Sequence, residues 1–296
     1  MGLFTKKEKN KTNEIKYAYT KEELEILENF IKDNYGDFDL VLHEKVSSGI
    51  HLDIAIVPPT EKHNYYKLVT MGMGSYLMNV PESLKSYNLE RAELVLFLPS
   101  TWDINSAKEE DYWPIRYLKV LARLPIENHS WLGFGHTVSA NNENTTYASN
   151  TNFCSIMLLT ALNNQNSKLN LNLKNRGKIN FYQLYPLYKE ELEYKMNHDS
   201  IALLNLINDK DLSPVLNIKR KNYGLEDKKV VKEIKKTNTR KTTTKSSSKK
   251  KDDPKKKVKN ESLKTKATKK AVKKVATNKA KKAVKKAVKN NTKKKR

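Results

Sequence analysis

His51 and Asp53 stand two residues apart in the run His51-Leu52-Asp53-Ile54-Ala55-Ile56-Val57. Residues at i and i+2 of a strand share a face, so imidazole and carboxylate can meet there. Such a pair could serve as general acid and base, or supply two ligands to a metal ion. A metal needs three or four ligands, and only His129 and His136 offer distant additions. The preferred reading is plainer: the two side chains satisfy each other or nearby loop backbone, with contact to a protein partner as the next choice. Met71-Gly72-Met73-Gly74-Ser75-Tyr76 superficially resembles a phosphate-cradling loop. It lacks the GxxxxGK[ST] pattern, and no clear helix follows before Pro81, so nucleotide binding is not expected. No Ser-His-Asp or Cys-His arrangement rises above chance. The lone Cys154 excludes an internal disulfide and suits a reducing cytosol. Its apolar setting, Phe153-Cys154-Ser155-Ile156-Met157, marks a buried hydrophobe rather than a reactive thiol.

Two tryptophans remain. Trp113 falls on an apolar helical stripe and belongs in the core. Trp131 precedes Gly133 and Gly135, where backbone must approach closely, and reads equally as core or as interface anchor. The expectation is therefore a chain with no catalytic residue, no metal and no cofactor. His51, Asp53, Trp131 and His136 are its candidates for contact with a protein partner.

A second kind of chemistry lies at the C-terminal end. Residues 228–296 hold 31 of the 57 basic residues and four acidic ones, Glu233, Asp252, Asp253 and Glu261. The preceding 227 residues carry 26 basic and 29 acidic side chains, so the net charge of +24 describes the tail and not the body. The tail has no aromatic residue and few large aliphatics. Burial could not offset its ordering entropy, and it is expected to be disordered in isolation. Lys269-Lys270-Ala-Val-Lys273-Lys274 recurs twelve residues later as Lys281-Lys282-Ala-Val-Lys285-Lys286, and Lys285 to Lys289 repeats part of it. Lys/Ala repeats of this kind resemble linker-histone tails and bacterial histone-like proteins. Phosphates would relieve the lysine repulsion and let Ala271 to Lys289 turn helical. These lysines, Lys289 included, suit non-specific binding to nucleic acid, since point charges read no bases. An anionic membrane surface, or no ligand at all, competes with that reading.

The elements that position the candidates can be read in order. Thr20-Lys21-Glu22-Glu23 is a capping box, and Leu24, Leu27, Phe30 and Ile31 recur at helical spacing, giving a helix from Lys21 to about Asn34. Leu40–Leu42, His51–Val57, Tyr65–Thr70 and Ala92–Leu98 read as strands. Trp113, Tyr117, Val120, Leu121 and Leu124 share one helical stripe, with Pro114 expected in the first turn and Pro125 as the stop. Trp131–Val138, Ser155–Thr160, Leu169–Leu173 and Ile179–Tyr185 are further strands. Two short helices, Lys189–Met196 and Ser200–Asn208, close the body. Helices and strands do not alternate, so the expected class is α+β, with a largely antiparallel or mixed sheet flanked by helices. The expected organisation is a polar segment over 1–19, a domain over 20–218 and a Lys-rich tail over 219–296. No run approaches the ~18 apolar residues that cross a bilayer. The first residues lack the apolar core of a signal peptide, and Lys6 breaks a myristoylation pattern. A cytoplasmic protein is expected, with association to nucleic acid through the tail.

Four blocks carry a resemblance. They are Tyr112-Trp113-Pro114-Ile115-Arg116-Tyr117-Leu118 through Pro125 with Trp131-Leu132-Gly133-Phe134-Gly135-His136; His51-Leu52-Asp53 through Pro58-Pro59-Thr60; Leu68-Val69-Thr70-Met71-Gly72-Met73 with Glu90-Arg91-Ala92-Glu93-Leu94; and Tyr185-Pro186-Leu187-Tyr188-Lys189-Glu190-Glu191-Leu192. In this order and spacing they resemble the suppressor-of-fused family across about Asp37 to Asp211. The resemblance implies a non-enzymatic protein-binding domain. Animal members clamp an extended peptide of a zinc-finger transcription factor, partly by strand addition. Bacterial members are similar to immunity proteins that neutralise toxins, often nucleases. This chain resembles the shorter bacterial form. The Tyr and Asp that touch the partner in animal members correspond to Leu124 and Gly135 here, so that specific partner is not implied. The expected function is an immunity- or antitoxin-type protein whose tail binds nucleic acid. The alternative is a nucleoid- or RNA-associated regulator that uses the tail as its main binding element. The oligomeric state is left open.

Overall fold

The computed structural model describes residues 15–44, 49–161, 170–207 and 211–226. They belong to one compact unit within Met1–Lys235. A second unit, Lys236–Arg296, lies outside the described residues, as do all the tail lysines singled out above.

The first helix, α1 (Lys21–Tyr35), starts where the capping box requires. Thr20 Oγ1 accepts the Glu23 N–H at 3.2 Å, and the Glu23 carboxylate accepts the Thr20 N–H at 2.9 Å. Two of the four donors orphaned at a helix start are thereby satisfied. Leu27, Phe30, Ile31 and Tyr35 form its buried stripe. A short strand β1 (Ile15–Tyr17) precedes it and pairs with β3 (Gly49–Ile50) in parallel.

The main sheet contains β2 (Leu40–Leu42), β4 (Asp53–Val57), β5 (Tyr65–Met71), β6 (Ala92–Pro99), β7 (Thr137–Ser139), β8 (Phe153–Thr160), β9 (Asn170–Leu173) and β10 (Gly177–Tyr188). Its order is β2-β4-β5-β6-β10-β8-β7, with β9 beside the first half of β10. Every neighbouring pair in this sheet is antiparallel except β6 and β10, which run parallel from Ala92↔Asn180 to Val95↔Gln183. The class is α+β with a mixed sheet, as the irregular order of elements implied.

The hydrophobic runs of the central strands follow from burial on both faces. Ile54, Ile56, Leu68, Leu94, Leu96 and Leu98 face the helix α2 (Glu109–Glu127) and its Trp113, Ile115, Leu118 and Leu121. Ala55, Val57, Val69, Val95, Phe97 and Phe181 face α1. Phe30 stacks on Phe181 with ring centres 4.8 Å apart. Two short helices, α3 (Lys189–Asn197) and α4 (Ser200–Leu206), follow β10. With residues 211–223 they enclose a third cluster around Met157, Tyr185, Leu187 and Leu203.

Three expectations change. The helix over α2 is longer, and both Pro114 and Pro125 lie inside it. Proline at 114 removes the N–H that would bond the Glu110 carbonyl, and the Asn150 side chain takes that carbonyl instead, at 2.8 Å. The stretch Trp131–His136 is a tight turn, and only Thr137–Ser139 of the expected strand is extended in the sheet. His51 and Leu52 lie between β3 and β4 rather than in a continuous strand, because the chain switches there from pairing with β1 to pairing with β5. Leu169 and Asn208 fall outside the described residues.

Candidate functional site

Asp53 begins β4 and is 5% exposed. Its Oδ2 lies 3.3 Å from His51 Nε2 and 3.1 Å from His43 Nδ1, while Oδ1 accepts the Glu44 N–H at 3.3 Å. Both histidines reach into solvent, and the carboxylate between them does not. Glu44 in turn is paired with Arg123 of α2. His51 and Asp53 therefore do meet, and His43 joins them. The antiparallel pairing of β2 with β4 delivers it, through Leu42↔Ile54. Each imidazole spends a ring nitrogen on the carboxylate. Among the described residues, no group of three His, Cys, Asp or Glu is arranged to hold a metal ion. The geometry is that of a corner pinned by a shared carboxylate.

His136 and Trp131 form a separate place. The His136 ring packs edge-on against the Trp131 ring, with centres 4.2 Å apart. The turn between them closes through the His136 N–H on the Gly133 carbonyl at 3.1 Å. A Cβ on Gly133 would lie 2.6 Å from the Trp131 ring, so only glycine lets the turn fold over it. Gly135 has φ +78° and presses against Ser200, whose Oγ donates to the Gly135 carbonyl at 3.0 Å. Lys195 Nζ donates to Thr137 Oγ1 at 3.0 Å. Burial pushes the His136 imidazole below its usual value, with the Lys195 charge adding to that, against a hydrogen bond with the Trp131 backbone that holds it up.

These two hydrogen bonds join the turn to α3 and to the start of α4. Beside each joined position stands an exposed apolar side chain: Phe134 next to Gly135, Met196 next to Lys195 and Ile201 next to Ser200, at 45%, 69% and 52% exposure. The junction of the turn with α3 and α4 thus carries three exposed apolar side chains. It adjoins β7, which is an edge strand: it pairs with β8 on one side and has no sheet neighbour on the other among the described residues. Sequence reasoning named Trp131 and His136 but missed Phe134, Met196 and Ile201. A Phe between two glycines was the available signal for the first. Nothing local marks the other two, since helix register alone decides which apolar side chain faces out.

The glycine-rich turn after β5 does cradle a carboxyl group, and it is the protein's own. Glu93, fully buried in β6, accepts the N–H groups of Gly72 (3.0 Å) and Gly74 (2.9 Å), the Thr70 hydroxyl (2.5 Å) and the Tyr19 hydroxyl (2.7 Å). Burial pushes its carboxyl up, against these four donors, which hold it down. The donors that would serve a phosphate are already committed. Trp113 is core at 1% exposure, and Cys154 is buried, its thiol pushed up by desolvation.

Comparison with known proteins places this architecture. The pattern of the family described as Suppressor of fused protein (SUFU) matches residues 48–221. An uncharacterized protein of Ureaplasma parvum serovar 3 is 29% identical over 210 residues, covering 70% of this chain and 98% of that protein. Among solved structures, a suppressor-of-fused homologue from Neisseria gonorrhoeae FA 1090 aligns at 17% identity and a TM-score of 0.47, over 68% of this chain and 93% of that one. Drosophila Suppressor of Fused aligns at 13% identity and a TM-score of 0.47, over 72% of this chain and 53% of that one. No helix among the described residues is long and apolar enough to cross a membrane. With a family pattern spanning more than half its length, the chain belongs to the suppressor of fused family.

Proposed function

We propose that this protein is a non-enzymatic binder of an extended segment of another protein, which adds to the β7 edge and seats apolar side chains along Phe134, Met196 and Ile201. The single observation that carries this reading is the open edge strand β7 beside a turn-to-helix junction that carries three exposed apolar side chains. Edge strands supply main-chain affinity, and adjacent apolar positions supply selectivity. Membership of a family of protein-binding domains supports it. Within that family the reading is an immunity- or antitoxin-type protein that neutralises a toxin. Hydrogen exchange tests the site. On addition of the partner, the Thr137–Ser139 amides slow; unchanged exchange there with a bound partner contradicts it.

The charge segregation favours a second component. The tail supplies non-specific attraction to DNA or RNA and holds the complex near nucleic acid, where a nuclease toxin would act. Alternatively the tail is the main binding element of a nucleoid- or RNA-associated regulator, and the body recruits its partner there. A toxin that binds the body with the tail removed favours the first; recovery of nucleic acid with no toxin favours the second.

A further inference from the structure

The C-terminal end of α1 and the loop before β5 enclose a hollow of about 290 Å³, lined among others by Lys32, Lys62, His63 and Lys67. Lys67 is 2% exposed, an unusual place for an ammonium. That group carries three N–H donors. The Tyr35 carbonyl accepts one, and the Tyr65 ring lies 5.7 Å away. Donor capacity therefore remains at the floor of the hollow. His63 Nε2 is buried and has no hydrogen-bond partner among the described residues. Two buried nitrogens with unspent capacity thus line the same space, and Lys62 and Lys32 stand at its mouth. Asp33 and Asp37 also line it. They are exposed and screened by solvent, whereas Lys67 is not, so the floor is the more strongly charged part.

We propose that this hollow binds a phosphate-type oxyanion, with Lys67 at its floor, His63 Nε2–H donating from one wall and Lys62 and Lys32 closing over it. Donors on several sides suit a tetrahedral anion better than a planar carboxylate, which offers two oxygens. The anion would compensate a buried cation that otherwise leans on one carbonyl and one ring. The site is remote in sequence from the β7 edge and does not depend on the reading of that edge.

The His63 ring reports occupancy. Lys67 and Lys62 now add to desolvation in holding its imidazole below the usual value. A bound anion reverses that balance. Inorganic phosphate, phosphoserine and acetate are titrated at constant ionic strength into the full chain while the His63 ring signals are followed by NMR. With phosphate the His63 midpoint rises by roughly one unit, the rise shrinks in Lys62→Ala and vanishes in Lys67→Met. A tighter response to phosphoserine identifies an esterified phosphate as the preferred source. The proposal falls if phosphate leaves His63 unmoved or if acetate acts as strongly as phosphate. It falls too if Lys62→Ala responds like the parent, a result that stands even where Lys67→Met fails to fold.

Discussion

Arg220 grips Glu191 with both arms of its guanidinium, Nη1 on Oε1 at 2.6 Å and Nη2 on Oε2 at 2.5 Å, in a place where neither side chain is more than 4% exposed. The rings of Phe153, Tyr185 and Tyr188 each lie 5.0 Å from the guanidinium carbon. Glu191 also accepts the N–H groups of Tyr188 and Tyr223, both at 3.1 Å. The pair therefore fastens the last described segment to the start of α3, and hence beneath the helices that carry Met196 and Ile201.

Breaking that pair leaves a buried charge without its partner. Arg220→Met is expected to cost about 3–5 kcal/mol in urea unfolding, and Glu191→Gln a comparable amount. The double change costs less than the sum, because the second removal no longer strands a charge. Strict additivity would show that the two residues act independently.

Three glycines separate crowding from backbone strain. A Cβ on Gly74 would lie 2.2 Å from the Tyr19 hydroxyl, and one on Gly72, at φ +147°, would lie 2.0 Å from the His51 carbonyl. Gly177, at φ +79°, has nothing within 4 Å. Alanine at 177 is expected to cost about 1 kcal/mol, the strain of the left-handed conformation alone. Alanine at 72 or 74 costs more, and at 74 it also frees Tyr19 from Glu93. Equal costs at all three sites would rule out the cradle as a source of stability.

Glu23 supplies a pH signature. The Arg176 guanidinium, 2.7 Å from Oε1, holds the Glu23 carboxyl below its ordinary value of 4.5, with the Thr20 backbone N–H adding to that against desolvation. A depressed folded value means the unfolded chain binds the proton first as pH falls. The contribution is thus fully present above the ordinary value and is lost as pH drops through it toward the folded one. The stability difference between the parent and Glu23→Gln is expected to hold steady at neutral pH and to shrink below about pH 4.5. A difference that grows on acidification would contradict the assignment.

What the residues disclose in advance depends on how local the cause is. The start of α1 is written in Thr20 and Glu23, and the double-faced burial of β4 and β6 in the apolar runs Ile54–Val57 and Leu94–Leu98, whereas β5 buries Lys67 and Thr70 among its apolar side chains. The parallel β6–β10 pair is not written anywhere near either strand, because nearly ninety residues separate Ala92 from Asn180. Pro125 was expected to end α2, yet the helix accommodates it and runs on to Glu127. At the site, the glycines flanking Phe134 pointed to a close approach. That Ser200 and Lys195 would be the groups approached is a matter of tertiary packing, as is the arrival of His43 beside Asp53. The glycine turn was read as only superficially like a phosphate-cradling loop, and that its N–H groups would close on the buried Glu93 could not be read from it.

The tail carries its own salt dependence. With about 8 phosphate contacts, log K against log salt is expected to slope near −7 on duplex DNA. Removing residues 228–296 should abolish this binding while leaving the unfolding free energy of the body unchanged. Binding that survives the truncation, or that ignores salt, would place the nucleic-acid contact elsewhere.

The affinity of the body's protein partner is measured for the parent chain and for Phe134→Asp and Met196→Asp, with melting temperature as the folding control. Both positions are exposed, so folding should be preserved, and a carboxylate placed in an apolar contact should weaken binding by tenfold or more. Undiminished affinity in both variants, with the fold intact, would mean that the partner docks somewhere other than the face built by the Trp131–Thr137 turn, α3 and α4.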